Sequence, residues 1–183
     1  MSKDALERLQ KKFPQEVLGT HAQHGDETAL VDRKGLLAVC TWLKESPDMD
    51  FRMLTDLTVV DYLGMPPAQR VCSPGAGKAS NATGGQAPRF EVVYHLLSLS
   101  RGWRLRLKVP VDLEDPVVPT VSTLWKSADW MEREGWDLYG IRFEGHPDLR
   151  RVLLYEEFVG HPLRKDYPVR QRQPLIPMKN PNA

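Results

Sequence analysis

The chain has 183 residues, of which 41% are hydrophobic and 27% are charged, and its formal net charge is +1. This composition is typical of a globular domain with a core of its own, and the balanced charge excludes a strong general attraction to nucleic acid or anionic lipid. No apolar run approaches the roughly 20 residues that a membrane-spanning helix needs.

The N-terminus and the cysteines give further information on the class of protein and its cellular environment. Residues 1–13 predict the start of an amphipathic helix and not a secretory signal peptide, because they lack an apolar stretch. Cys40 and Cys72 each stand alone, without a second cysteine at ligand spacing. We therefore expect no metal or iron–sulfur site in this chain, and a reducing cytoplasmic environment fits this pattern.

Hydrophobic spacing predicts alternating helices and strands in the first third of the chain. The predicted elements are a helix over 4–13, strands over 16–23 and 28–32, a helix over 33–44, and a segment of mixed helix and strand over 51–63. Pro14 ends the first helix, and Asp32 is placed to cap the second.

Residues 66–88 are predicted to form a mobile loop insertion, because they are rich in Gly, Pro, Ala and Ser. The dipeptide Gly77-Lys78 suggests a phosphate-binding loop. That motif needs a glycine where this chain has Cys72, and a serine or threonine where it has Ala79. A surface insertion is therefore the better interpretation.

The clearest hairpin joins strands over 89–98 and 103–111, and a helix is predicted from Ser127 to about Tyr139. The order of elements is then helix, hairpin, helix, strand, hairpin, helix. This order predicts an α+β fold, with an antiparallel or mixed sheet and helices packed on one face.

The last predicted helix carries acids and an arginine at helical spacing. Asp129, Arg133 and Asp137 are four residues apart, which predicts that Arg133 lies between the two carboxylates. Glu132, Glu134 and Asp137 do not converge on one cleft at their spacing, so we do not expect them to form a catalytic pair.

The tripeptide Gly-His-Pro occurs twice, at 145–147 and at 160–162. Each copy is followed by a leucine and a basic pair. Glycine before the histidine permits positive φ, and proline after it favours an extended backbone. Metal binding would need further ligands that the sequence does not offer at ligand spacing. We therefore expect each imidazole to bond to a backbone carbonyl.

The C-terminal residues 169–183 predict an extended arm beyond a single domain over 1–168. Repeated prolines exclude a regular helix, and Leu175, Ile176 and Met178 supply apolar side chains. From residue 161 onward, five basic residues face the single acid Asp166. Such an arm is expected to become ordered on a partner protein.

Three runs, 132–141, 145–151 and 160–168, closely resemble one family, the thirty-kilodalton or C-type subunit of respiratory complex I, NADH:quinone oxidoreductase. Shorter upstream runs resemble it too, namely 51–57, 61–63, 90–98 and 118–121. The similarity therefore covers most of the chain, while residues 66–88 depart from the usual compact pattern.

The resemblance implies a non-catalytic subunit of the peripheral arm, on the cytoplasmic face of the bacterial inner membrane. It implies that FMN, iron–sulfur clusters, NADH and quinone are bound by other subunits, and that this chain binds no cofactor. The implied partners are the large hydrogenase-like (D-type) subunit and neighbouring peripheral-arm subunits, in a hetero-oligomer without nucleic acid and without a membrane span of its own.

We expect no catalytic, cofactor-binding or metal-binding residue in this chain, and a set of interface or supporting residues within residues 130–168, the charged segment. These residues are Glu132, Arg133, Glu134, Asp137, Gly140, His146, Pro147, Arg150, Arg151, His161, Pro162, Arg164, Lys165 and Asp166.

Two alternative functions remain at this point. The first is the equivalent subunit of a related membrane-bound hydrogenase, or of a complex that uses another electron donor. The second belongs to a different class, an autonomous hydrolase that uses Glu132 and Asp137.

Overall fold

The structure is a computed structural model, and it describes residues 2–66 and 88–175. The helices within these ranges are α1 Ser2–Lys12, α2 Leu36–Glu45 and α3 Ala128–Tyr139. The strands are β1 Val17–Gln23, β2 Asp26–Val31, β3 Met53–Asp61, β4 Phe90–Ser98, β5 Trp103–Val111, β6 Val117–Pro119 and β7 Arg142–Glu144. The predicted loop over 66–88 lies outside the described residues except at its two ends.

Five strands form a mixed sheet in the order β1-β2-β5-β4-β3. Neighbours pair antiparallel except β2 and β5, which are parallel. The two predicted hairpins, β1-β2 and β4-β5, are both present, and β3 completes the sheet on the far side of β4. The predicted α+β class with a mixed sheet is therefore confirmed.

The hydrophobic core lies on one face of this sheet. Along β5, the side chains of Trp103, Leu105 and Leu107 point into the core, whereas the alternating Arg104 and Arg106 do not belong to it. Buried side chains of all three helices belong to the same core cluster. The prediction that the helices pack on one face of the sheet is therefore confirmed. In a strand with period-two alternation, apolar side chains on one face are buried and the side chains between them point to the other face.

Residues 51–63 do not contain the helical part that we predicted. Residues 53–61 form one strand that pairs with β4 along its length, with an irregularity between Leu54 and Asp56. The prediction was wrong because pairing with the apolar β4 outweighs local preference, and β-branched residues suit a strand whose inner face is buried.

Asp32 caps a turn and not the helix that we predicted. Its Oδ1 accepts the Lys34 N–H at 2.7 Å, and its carbonyl accepts the Gly35 N–H at 3.0 Å. Helix α2 begins only at Leu36, after an N-cap Gly35 that makes no side-chain cap bond. The local Asp turn competes with helix initiation, which moves the helix start from residue 33 to Leu36.

A second, two-stranded sheet was not predicted. Strands β6 and β7 pair in parallel, and the Thr120 N–H extends the pairing to the Glu144 carbonyl at 2.9 Å. These strands are three residues each, too short to give a periodic pattern in sequence. Their pairing places Thr120 and Val121 beside α3, and α3 itself packs against β3.

Among the helices of the described ranges, none is long and apolar enough to cross a membrane.

Candidate functional site

The carboxylate of Asp137 organises the segment that follows α3. It is fully buried, and its Oδ2 accepts three successive backbone N–H groups, from residues 152–154, at 2.9–3.1 Å. Its Oδ1 accepts Nη1 of Arg151 at 2.6 Å. Burial by itself raises the pKa of Asp137, but these donors outweigh burial and leave the pKa below its ordinary value. The anion is therefore held by the chain's own donors.

Arg133 does not bridge Asp129 and Asp137, so that prediction was wrong. It donates from Nε to the carbonyl of Arg150 and from Nη2 to the carbonyl of Arg151, both at 3.2 Å. The reason is that residues 150–154 fold back over α3. Backbone carbonyls of these residues accept the hydrogen bonds of Arg133, and Arg151 forms the ion pair with Asp137.

The second Gly-His-Pro turn caps the C-terminal end of α3. The imidazole Nδ1 of His161 lies 3.0 Å from the Asp137 carbonyl. The Leu163 N–H donates to the Leu138 carbonyl at 3.2 Å, and Nε of Arg164 donates to the Tyr139 carbonyl at 2.5 Å. The last carbonyls of a helix have no partner within the helix, so these three donors satisfy them in turn.

Gly140 is required where α3 meets this turn. It ends the helix in the left-handed region, with φ of 74°. A Cβ at this position would lie 2.5 Å from Nε2 of His161 and 2.6 Å from Nη2 of Arg164. Only glycine both adopts this φ without cost and leaves room for the two capping side chains.

The first Gly-His-Pro turn reaches the other end of α3. The side chain of His146 is fully buried, and its Nδ1 accepts the Asp148 N–H at 3.1 Å. The proton is therefore assigned to Nε2, which lies 3.2 Å from the Asp129 carbonyl. Both histidines thus contact backbone carbonyls, as the sequence predicted.

Among the described residues, the buried acid Glu132 has no cationic partner at hydrogen-bonding distance. Its Oε1 accepts the Val121 N–H at 2.7 Å, and its Oε2 accepts the Thr120 hydroxyl. The imidazole Nε2 of His146 lies 3.9 Å from Oε2. Burial, with a smaller contribution from the charge of Asp129, raises the pKa of Glu132 to about 7, although the two hydrogen bonds lower it.

Arg89 joins the sheet to the C-terminal part of the segment. It forms paired hydrogen bonds with the buried Asp61 at 2.9 and 3.1 Å, and with Asp166 at 2.6 and 2.9 Å. Oδ2 of Asp61 also accepts the Lys165 N–H at 2.9 Å. An arginine between two carboxylates therefore exists in this fold, but at Arg89 and not at Arg133.

The clamp formed by Arg89, Asp61 and Asp166 lowers the pKa of both acids. Hydrogen bonding to Arg89 is the main cause for Asp166, and for Asp61 the same arginine and two backbone N–H groups outweigh the effect of burial. Sequence reasoning included Asp166 but missed Asp61 and Arg89, which are separated by the 66–88 loop. Both residues lie close to the ends of that loop, and this position is the sequence feature that could have suggested that they pair.

The remaining predicted residues lie at the surface or at its edge. Glu134, Pro147 and Lys165 are exposed and Pro162 is half-buried. Arg150 is also exposed, and its Nε lies 2.9 Å from a carboxylate oxygen of Asp148. The predicted set thus divides into internal supports and a smaller number of surface groups.

The part of the chain that the structure describes offers no group of three or more His, Cys, Asp or Glu side chains placed to hold a metal ion. Cys40 is fully buried, and burial raises the pKa of its thiol, so this thiol is a poor ligand and a poor nucleophile. Cys72 lies outside the described residues.

Comparison with known proteins agrees with the resemblance seen in the sequence. Residues 29–173 match the family described as "Respiratory-chain NADH dehydrogenase, 30 Kd subunit". The chain belongs to this family. The match covers the whole charged segment, three strands of the main sheet and the second half of β2.

Two curated relatives, both C-type subunits of NADH-quinone oxidoreductase, show how far the similarity extends. The one from Geobacter sulfurreducens is 42% identical over 165 residues, covering 90% of this chain and 88% of that protein. The one from Coxiella burnetii (strain RSA 331 / Henzerling II) is 49% identical over 144 residues, covering 73% of this chain and 63% of that protein. The chain therefore spans less than two thirds of the Coxiella relative.

Two solved structures share the fold. The trypsin-resistant fragment of Nqo5 is 33% identical with a TM-score of 0.62, covering 81% of this chain and all of that fragment. A chain of the archaeal membrane-bound sulfane sulfur reductase is 22% identical with a TM-score of 0.64, covering 91% of this chain and 85% of that chain. The second likeness shows the fold alone.

Replacing Arg89 by alanine is expected to destabilise the fold by about 3 kcal/mol, because it leaves the buried Asp61 carboxylate without its cation. The side chains of Arg89 and Asp61 are 11% and 1% exposed. The measurement is urea unfolding of the isolated chain. The control is Arg52→Ala, which removes a guanidinium that is 80% exposed beside Asp50 and should change stability little. Equal effects of the two substitutions would contradict the clamp.

Replacing Glu132 by glutamine is expected to reduce the pH dependence of stability. The folded state holds the Glu132 proton more tightly than the ordinary pKa of 4.5 allows. This stabilisation is complete below about pH 4.5 and is lost as pH rises through about 7. Unfolding free energies of the native chain should therefore fall by about 2 to 3 kcal/mol more between pH 5 and pH 8 than those of the variant.

The matched control is Glu134→Gln, which changes an exposed acid of the same helix. Its unfolding free energy should follow the native pH dependence. Identical pH dependence in the native chain and in the Glu132→Gln variant would rule out a buried proton at Glu132.

Proposed function

We propose that this chain is a non-catalytic, assembly-supporting subunit of the peripheral arm of the proton-translocating NADH:quinone oxidoreductase. In this role it stabilises the module that passes electrons from NADH through FMN and iron–sulfur clusters to quinone, all of which are bound by other subunits. The chain supplies shape and contact surface, and its partners supply the redox chemistry.

The observation that carries this proposal is the contrast between the interior and the surface of the segment after α3. Its buried charges are satisfied by the chain's own groups, as at Asp137 and Arg133. Yet the described part of the chain has eleven exposed large hydrophobic side chains, and six of them fall between residues 130 and 175. These six are Trp130, Leu153, Val159, Leu163, Val169 and Leu175. Apolar groups held outward on a fixed framework favour a protein interface.

The burial of the acids argues against the hydrolase alternative. The side chains of Glu132 and Asp137 are both fully buried, and each accepts hydrogen bonds from its own chain. A general acid or base must reach the bond that it acts on. We therefore propose that the chain has no catalytic residue, and that the predicted site residues are interface groups and their supports.

The proposed partners are the large hydrogenase-like (D-type) subunit and neighbouring subunits, on the cytoplasmic face of the bacterial inner membrane. The start of the proposed arm, 169–183, supports a contact role. The side chain of Gln173 bonds to the backbone of Val159, and the Tyr155 hydroxyl donates to the Pro174 carbonyl at 3.0 Å. Val169 and Leu175 are nevertheless almost fully exposed, at 99% and 97%.

The runner-up is the equivalent subunit of a related membrane-bound complex with another electron donor. Its support is a shared fold with the sulfane sulfur reductase chain, at 22% identity. The relatives at 39–49% identity bear the name of the NADH-quinone oxidoreductase subunit. The composition of the purified complex separates the two, since only the NADH-dependent complex includes a flavoprotein subunit that binds NADH.

A pull-down of the tagged chain from native membranes tests the proposal. We expect the large hydrogenase-like subunit and NADH-binding flavoprotein subunits to be recovered, and Leu153→Ser to lower their recovery several-fold by removing an exposed apolar contact. The control is Leu99→Ser, at a side chain that is 74% exposed in the turn after β4 and should leave recovery unchanged. Recovery of the chain without these subunits would contradict the proposal.

A further inference from the structure

A groove of about 410 Å³ lies between α3 and residues 149–156. Its apolar lining comes from Trp136, Leu149, Leu154 and Tyr155. Its polar lining comes from Arg133, Arg150, Arg151 and Glu156. The exposed Trp130 lies beside it, with the guanidinium of Arg133 5.0 Å from the centre of the Trp130 ring.

The charge of Arg133 distinguishes this groove from an ordinary surface depression. Arg133 is only 8% exposed, and the described residues hold it through two backbone carbonyls and an aromatic ring, with no carboxylate within ion-pair distance. The two carbonyls accept hydrogen bonds from Nε and Nη2 of Arg133 but bring no negative charge. A largely buried cation without a counter-ion is costly, so an anion supplied from outside would be bound favourably.

The other charged groups of the groove do not supply that anion. Arg151 pairs with the buried Asp137 at 2.6 Å, and Arg150 pairs with the exposed Asp148 at 2.9 Å. Glu156 is exposed to solvent, where its charge is screened, whereas the charge of Arg133 is not. The groove therefore keeps one unscreened positive charge above an apolar floor.

We infer that this groove is the docking site for a carboxylate side chain of a partner protein, flanked by apolar residues that cover Trp136, Leu149 and Leu154. This inference rests on the proposed function and specifies the chemistry of the partner. Charge complementarity selects the acid, because the planar guanidinium of Arg133 matches a carboxylate, and the apolar lining selects a protein segment.

Two substitutions at one position isolate the charge. Arg133→Lys and Arg133→Gln both lose the forked contact with the carbonyls of Arg150 and Arg151, but only the first keeps a positive charge. Each variant replaces the native chain in cells, and the complex is purified at low and high salt. We expect at least tenfold weaker retention of Arg133→Gln than of Arg133→Lys at low salt, and most of this difference should persist at high salt, because a buried ion pair is screened much less than an exposed one.

The lysine variant also allows the carboxylate to be identified. A carbodiimide joins a lysine amine directly to a carboxylate in contact with it. In the complex that holds the Arg133→Lys chain, mass spectrometry should find residue 133 linked to an Asp or Glu of another subunit. A link only within this chain, or to a second copy of it, would overturn the inference.

A variant at the groove's rim keeps the test decisive if both changes at Arg133 impair folding. Arg150 is exposed, so Arg150→Lys should fold normally, and its carbodiimide link should reach the same partner segment. Absence of that link in intact complex would overturn the inference, as would equal retention of the two Arg133 variants. Binding of the lone chain to phosphatidylglycerol vesicles, lost in Arg133→Gln, would assign the groove to lipid phosphate and overturn it too.

The proposed function and this inference fail in different ways. If the native chain is not recovered with other subunits, the proposed function fails. If the native chain is recovered but the Gln and Lys variants are retained equally, only the groove's assignment fails.

Discussion

The buried carboxylate of Asp137 is the interaction on which the rest of the charged segment depends. Burying a charge is unfavourable unless its hydrogen-bonding capacity is filled, and here three backbone N–H groups and Arg151 fill it. Because the three N–H groups come from consecutive residues, one side chain fixes the path of a whole turn. Residues 150–154 can therefore hold a defined shape without forming a helix or strand of their own.

Contacts at both ends of α3 follow the same rule, because the chain's own groups fill the hydrogen-bonding capacity of buried polar atoms. His146 and Glu132 connect the helix to the β6-β7 pair, while His161 and Arg164 satisfy its last carbonyls. Arg89 then fastens residues 165 and 166 to the main sheet through Asp61. These polar groups face inward, while apolar side chains such as Trp130 and Leu153 are exposed at the outer surface. That division is what a protein sandwiched between partners requires.

Much of the fold could be predicted from the sequence, because long elements have strong periodicity. The two hairpins and α3 follow from it directly, and the contacts of both histidines with carbonyls follow from the lack of further metal ligands. The pairing of Arg133 could not be predicted. Helical spacing shows which side chains share a face, but not which distant backbone will fold over that face. Arg151 and Arg89 form the ion pairs with the buried carboxylates because the tertiary fold places these two arginines closer to them than any neighbour along the helix.

The central claim is that the charged segment supports assembly and takes no part in electron transfer. The most direct measurement is NADH:quinone turnover per assembled complex for a chain carrying Asp137→Asn, which removes the charge that organises the segment. We expect several-fold less assembled complex, with native turnover in each complex that does assemble. A normal amount of assembled complex with a large loss of turnover would contradict the claim.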